Sequence, residues 1–343
     1  MKPSQGAGVK SKLLVLELWG LGDLVIATPF IRAAAEKHAV TLLAKPFALE
    51  MRDRLWPGVE VVPFVAPWTA FRFRSKYGFW GWPWAKMLRL GAGLRAREFD
   101  CGVSGRWDPR DHLFLKAAGA RARLGFPRLQ SGRYLTQPLP LPDPQAHRSE
   151  YWRALGRALD LQLPAREEMT PPPRAAGSVA FIHSGARLPA RIWPLANFQQ
   201  LAVRLRRENF AVQIACDPDQ LDWWRAQGEP VACPRTVGEL FSLLDGAGIF
   251  IGNCSGPGHL AAISGVPTFT LFGPSLHEWW APLHPAAEWI EGKACPYKPC
   301  SDYCRFSTPE CLWKISPEEV WAHVQKFAGR HLESKSAGLA VPN

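Results

Sequence analysis

No apolar stretch near the start of this 343-residue chain is long enough to cross a bilayer. Leu13 to Leu18 is far shorter than the roughly 20 residues a spanning helix needs. Met1 to Lys12 is polar and basic, without the apolar centre of a secretory signal, so the chain is expected to stay in the cytosol. Acidic residues are scarce, 30 against 41 Lys and Arg, and the shortage is confined to one half. Residues 1–150 hold 23 Lys and Arg against 12 Asp and Glu, whereas residues 151–343 hold 18 of each. The first half is therefore expected to meet an anionic partner: nucleic acid, anionic lipid or a phosphorylated glycan.

Two familiar signatures are missing as well. Cys101, Cys216, Cys233 and Cys254 are scattered, and Cys295, Cys300, Cys304 and Cys311 cluster with C-x4-C-x3-C-x6-C spacing. A reducing compartment argues against a disulfide framework, and the cluster lacks the paired C-x2-C knuckles of zinc sites, so no metal is expected. The G-x-G-x-x-G fingerprint also fails, because Val25 stands where a third glycine should follow Gly20 and Gly22. No acid ends the second strand near Leu43, and no nicotinamide cofactor is expected.

What is present is an alternation of strand and helix, begun twice. Lys12 to Leu18 reads as a strand, followed by a glycine turn and a helical pattern through Ile26, Phe30, Ile31 and Ala34. Val40 to Leu43 and Val59 to Phe64 read as strands, with a helix over Met51 to Leu55. A proline-rich stretch, Leu163 to Ala176, makes the boundary. The pattern then restarts with strands at Val179–His183 and Ala211–Ala215, and helices at Leu195–Glu208 and Val237–Leu244. Ser316-Pro317-Glu318-Glu319 predicts a capped helix over Pro317 to Phe327, and both tails read as disordered. The expectation is α/β: two doubly wound domains whose strand ends make a cleft.

Residues 248 to 275 are the most telling run. Ile249 to Ile251 reads as a buried strand, and Gly252, Gly256 and Gly258 suit a sharp turn that approaches a ligand. Ser255 is placed to cap the next helix, whose free N–H groups would hold a phosphate; a turn serving packing alone is the alternative.

Asp23, at the end of the first strand, is placed to take a proton from an incoming hydroxyl or simply to cap its helix. Arg187 and Arg191 suit a diphosphate, or solvent. Asp217 suits a ribose hydroxyl, or a plain turn. Between Phe64 and Arg97, Trp68, Phe71, Phe73, Tyr77, Phe79, Trp80, Trp82 and Trp84 interleave with Arg72, Arg74, Lys76, Lys86 and Arg89. That mixture suits a membrane-proximal acceptor site, and also single-stranded RNA.

With these residues in view, the chain resembles the glycosyltransferase family 9 heptosyltransferases of lipopolysaccharide assembly, from about Lys12 to Phe327. LVLELWGLGDLVIATP is similar to the family's N-terminal motif, with Asp23 on its proposed base. Arg191 in ARIWP falls on the basic residue that meets the donor diphosphate. GNCSGPGHLAA followed by GVPTFTLFGPS is similar to the donor signature, with Ser255, Gly256 and His259 matching. The late cysteine cluster and the helix start at Ile315 to Val320 are also similar.

The resemblance implies a GT-B fold, two Rossmann-like domains facing across a cleft, with residues 12–165 binding acceptor and 176–328 binding donor. Residues 1–11 and 331–343 are expected to be disordered. It further implies an inverting, metal-independent transfer of heptose or a related sugar from an ADP-sugar to a lipid-linked core oligosaccharide. The setting would be the cytoplasmic face of the inner membrane, peripherally, with no nucleic acid partner. Donor residues would be Gly185, Arg187, Arg191, Asp217, Cys254, Ser255, Gly256 and His259; acceptor residues would be Gly22, Arg72, Arg74 and Arg106. Cys254 stands where the family usually has Asp, which removes the group expected near the sugar hydroxyls. A nucleotide-sugar-binding module without catalysis is the alternative, and an RNA-binding protein a further one.

Overall fold

The computed structural model describes residues 10–69, 81–169, 172, 177–300 and 304–332. The chain divides into two compact units between Leu163 and Pro164.

Unit 1 runs β1 (Ser11–Glu17), α1 (Leu21–Lys37), β2 (His38–Ala44), α2 (Ala48–Leu55), β3 (Glu60–Pro63), α3 (Trp84–Arg95), β4 (Cys101–Ser104), α4 (Pro109–Ala117), β5 (Ala122–Gly125), β6 (Gln137–Pro138) and α5 (Ser149–Ala158). Its six strands are all parallel, in the order β3-β2-β1-β4-β5-β6. A strand covered on both faces is apolar throughout rather than alternating. Leu13 to Leu16 obey this and are fully buried.

Unit 2 repeats the arrangement with β7 (Val179–His183), α6 (Leu195–Arg207), β8 (Ala211–Ala215), α7 (Leu221–Ala226), β9 (Val231–Ala232), α8 (Val237–Asp245), β10 (Ala247–Asn253), α9 (Gly256–Ile263), β11 (Thr268–Phe272), α10 (His277–Trp280), β12 (Ala287–Glu291), α11 (Glu310–Trp313) and α12 (Pro317–His331). Its strands are parallel in the order β12-β11-β10-β7-β8-β9. In each unit the first strand lies between the second and the fourth, so connections leave it in opposite directions. That switch opens a crevice beyond the strand ends, between β1 and β4 in unit 1 and between β7 and β10 in unit 2.

The tails are shorter than expected at both ends, and at the first Ser11 is not loose but opens β1, paired with His38. The last helix continues past Phe327 to His331, and Leu332 is buried, so residues 331 and 332 are folded rather than part of a loose tail. The cause is the apolar face Val320, Val324, Phe327 and Ala328, which packs with Leu332 into the unit 2 core. Packing alone already requires Gly252 and Gly258 to lack a side chain. A Cβ on Gly252 would lie 2.8 Å from the His183 carbonyl oxygen, and one on Gly258 would lie 3.2 Å from the Phe250 ring.

The start of α12 is fixed by reciprocal bonds: Glu319 N–H donates to Ser316 Oγ at 3.1 Å, and Ser316 N–H donates to Glu319 Oε2 at 2.7 Å. Replacing Ser316 by Ala removes the first of these and should cost about 1 kcal/mol in a urea unfolding measurement, without changing the slope of the transition.

Candidate active site

Unit 1 holds a cavity of about 520 Å³ at its switch point, lined from the β1 side by Glu17, Trp19 and Asp23 and from the β4 side by Gly105, Arg106 and Trp107. Glu17 closes β1 at 2 % exposure. Its Oε1 accepts the Trp19 N–H at 3.1 Å, and its Oε2 lies 3.9 Å from Arg106 Nε. Asp23, the third residue of α1, accepts the Gly20 N–H through Oδ2 at 2.9 Å and an Arg106 Nη2–H through Oδ1. Asp23 thus closes the first turn of its helix while facing the cavity. Gly22 precedes it in that turn.

One guanidinium therefore stands between two carboxylates, and it also lies 5.3 Å from the centre of the Trp19 ring. Burial alone would lower the Arg106 pKa, but Asp23 and Glu17 outweigh it and hold the value above the ordinary one. Burial likewise pushes Glu17 up to about 8, with Arg106 pulling it back and the Asp23 charge adding to the rise.

The loop bearing Arg106 is tied from beneath. Ser104 Oγ accepts the Arg106 N–H at 3.2 Å, and His112 donates through Nε2 to the Arg106 carbonyl at 3.1 Å. A carbonyl only accepts, so the proton sits on Nε2, and Nδ1 takes the Ser131 hydroxyl at 2.9 Å. Buried Asp111 receives Trp68 Nε1–H at 2.9 Å and Ser104 Oγ–H at 3.1 Å; burial still pushes its pKa up to about 7. Gly105 admits no side chain, since a Cβ there would fall 2.6 Å from the Trp152 indole. Across the cavity, Arg148 lies 5.2 Å from the Trp107 ring centre and donates to Tyr151 Oη at 3.1 Å. Indole faces and guanidinium groups together suit a sugar ring that carries an anionic substituent.

Unit 2 gathers a second group at its own switch point. Gly185 follows β7, and a Cβ on it would lie 2.3 Å from the Asp217 carboxyl carbon, so these two expected site residues are in close contact. Gly185 N–H donates to His183 Nδ1 at 3.2 Å, which leaves the proton on Nε2, 3.9 Å from Asp217 Oδ1. Burial lowers the His183 pKa and raises that of Asp217. Asn253, fully buried at the end of β10, accepts the Trp193 N–H at 3.0 Å and donates to the Ser184 carbonyl at 2.8 Å. It ties the turns after β7 and β10 together.

Cys254 follows Asn253 and is buried; burial raises its thiol pKa, and Arg191 nearby opposes the rise. Arg191 ends a short 3-10 turn ahead of α6, whereas Arg187 is exposed. Ser255 stands at the cap position of α9, yet its side chain makes no capping bond, contrary to expectation. The Ser255 Oγ is buried without a hydrogen-bond partner among the described residues. Gly256 opens α9 and His259 is buried one turn on. Arg72 and Arg74 lie outside the described residues.

The side chains that sequence reading missed are Glu17, Asp111, His112, Arg148 and Asn253. Glu17 carried a readable signal, a lone charge ending a run otherwise apolar from Leu13. The eight cysteines are free thiols, and among the described residues no group of three or more His, Cys, Asp or Glu is arranged to hold a metal ion.

The twin Rossmann-type units are those of glycosyltransferases with the GT-B fold. The heptosyltransferase WaaC of Escherichia coli, solved with ADP, superimposes with a TM-score of 0.71 at 14% identity, covering 92% of this chain and 100% of that one. Lipopolysaccharide heptosyltransferase 3 of Escherichia coli is 32% identical over 111 residues, 29% of this chain and 33% of that protein. Lipopolysaccharide heptosyltransferase 1 of Pseudomonas aeruginosa is 27% identical over 204 residues, 51% of this chain and 57% of that one. The chain thus matches these curated relatives over a third to somewhat more than half of their length. Residues 88–308 match the pattern of glycosyltransferase family 9 (heptosyltransferase), and the chain belongs to that family.

Replacing Arg106 by Met should destabilise the fold at pH 7 by on the order of 2 kcal/mol, less than for a fully buried pair because Arg106 keeps some exposure. The loss arises from carboxylate charge left without its counter-charge, so it should shrink as the pH is lowered and grow as the pH rises through about 8, where Glu17 ionises, as thermal unfolding across pH would report.

Proposed function

We propose that the chain transfers a heptose or a closely related sugar from an ADP-linked donor to the anionic core oligosaccharide of a lipid-linked lipopolysaccharide precursor, with inversion and without a metal. The observation that carries this reading is the start of α9, where the Ser255 Oγ at the unit 2 switch point is buried with no hydrogen-bond partner among the described residues. Such a site is short of an anion, and a nucleotide diphosphate supplies one. The ADP in the WaaC structure supports adenosine as the nucleoside.

Unit 2 is read as the donor domain. Asp217, beside Gly185, takes a ribose hydroxyl; Arg191 and the start of α9 take the diphosphate; and His259 lies one helical turn behind. Unit 1 is read as the acceptor domain, with Gly22, Arg106 and Arg148 around the bound sugar. Asp23 accepts the proton of the acceptor hydroxyl as its oxygen bonds to the anomeric carbon. The anomeric carbon–oxygen bond breaks on the opposite face, and ADP departs with the electron pair. The positive end of α9 and the Arg191 guanidinium stabilise the charge that develops, the task a divalent cation performs in other transferases. Among the described residues no helix is long and apolar enough to cross a membrane, and the basic, aromatic unit 1 is read as resting on the anionic cytoplasmic face.

A panel of nucleotide sugars offered with a lipid A core acceptor tests this reading. Release of ADP from ADP-heptose alone is expected, and Arg191→Ala should weaken ADP binding by about tenfold to a hundredfold, the worth of one charged hydrogen bond. Nucleotide-sugar binding with no release from any donor would return the non-catalytic binding module instead. Tight, salt-sensitive RNA binding without affinity for anionic vesicles would return the RNA reading.

A further inference from the structure

Glu17 is a buried titratable side chain at the candidate site to which the reaction outlined above gives no task. It lines the cavity yet is almost shut off from solvent, its side chain 1 % exposed against 17 % for Asp23. Its place is nonetheless fixed with care. One carboxylate oxygen is held by the Trp19 N–H, and the other faces Arg106 Nε. The same guanidinium gives its Nη2 to Asp23. The backbone of Arg106 is anchored as well, its N–H by Ser104 and its carbonyl by His112. The charged groups acting on Glu17 come from three elements: Arg106 from the loop after β4, Asp23 from α1 and Asp111 from α4.

We propose that Glu17 is a positioning residue that sets how much of the Arg106 charge Asp23 holds. Protonated, Glu17 leaves the guanidinium to Asp23, which is then well placed but a weak proton acceptor. Ionised, it takes a share of that charge and adds its own negative charge nearby, which makes Asp23 the stronger acceptor for the hydroxyl proton. No proton need pass between the two carboxylates. The reaction at the anomeric carbon is unchanged, and only the ease of its proton transfer varies. The proposal rests on the reading of Asp23 as the base.

The direction with pH follows from Glu17 being pushed up to about 8. Wild-type kcat should climb about threefold to tenfold through that range, beyond any change centred on Asp111 near 7. In Glu17→Gln the neutral state is fixed, so the limb near pH 8 should vanish while the Asp111 contribution persists. A second measurement reads Glu17 without turnover. A carboxyl raised in the folded state stabilises the fold below its unfolded value, near pH 4.5, and loses that stabilisation as pH rises through about 8. Glu17→Gln should therefore gain in thermal midpoint over wild type as the pH is taken from 6 to 9.

If Glu17→Gln keeps the alkaline limb, the proposal is overturned while the transferase reading stands. If the midpoint difference does not grow with pH, Glu17 does not titrate there and the proposal is likewise overturned. Absence of transfer by the wild type at every pH would sink the transferase reading itself.

Discussion

Arg106 held between Glu17 and Asp23 is the interaction on which the rest of unit 1 depends. Two carboxylates brought together at a strand end repel each other, and in a setting short of water that repulsion is poorly screened. A guanidinium between them turns the repulsion into cohesion, because its flat fork presents separate N–H groups to each. The surrounding structure serves to keep that fork still. His112 and Ser104 hold its backbone, Trp19 lies against its face, and the bare Gly105 lets the loop sit on Trp152. The result is a carboxylate at the cavity wall whose position is fixed by the protein itself.

Unit 2 solves the complementary problem with fewer charges. Its switch point joins three backbone turns through a single buried amide, Asn253, so that the turn after β7 and the start of α9 keep their spacing. The positive end of α9 is left with a hydroxyl, that of Ser255, which has no partner among the described residues. Burying a polar atom without a bond costs free energy, and a site that bears this cost is poised to recover it when a ligand binds. The thiol of Cys254 beside it stays protonated through burial. It therefore adds no negative charge at the start of α9.

Much of the fold was legible because parallel strands buried on both faces leave continuous apolar runs. KLLVLEL and GIFIGN show them plainly, and β1 and β10 stand where those runs predict. The ends of α12 were legible unequally. Ser316 and Glu319 mark its start in local chemistry, whereas its end depends on the core that Phe327 and Leu332 reach, which is tertiary. Asp23 could be singled out from its glycine turn. Its partner's place beside it arises from β1 and β4 lying side by side, a pairing between residues 83 positions apart that no local pattern encodes. Gly252 and Gly258 are ambiguous in the sequence for a related reason. Their bare Cα atoms point at Phe250 and His183, and sequence alone does not tell a packing contact from a ligand contact.

The claim at the centre of this account is that Asp23 takes the acceptor proton. It is tested most directly by the turnover of Asp23→Asn, a replacement that keeps the side-chain shape while removing the base, in transfer from ADP-heptose to a lipid A core acceptor. The ADP dissociation constant should be measured on the same protein. The account predicts a fall in kcat of about 10²- to 10⁴-fold with ADP affinity unchanged. A kcat within about threefold of wild type, at equal ADP affinity, would contradict it.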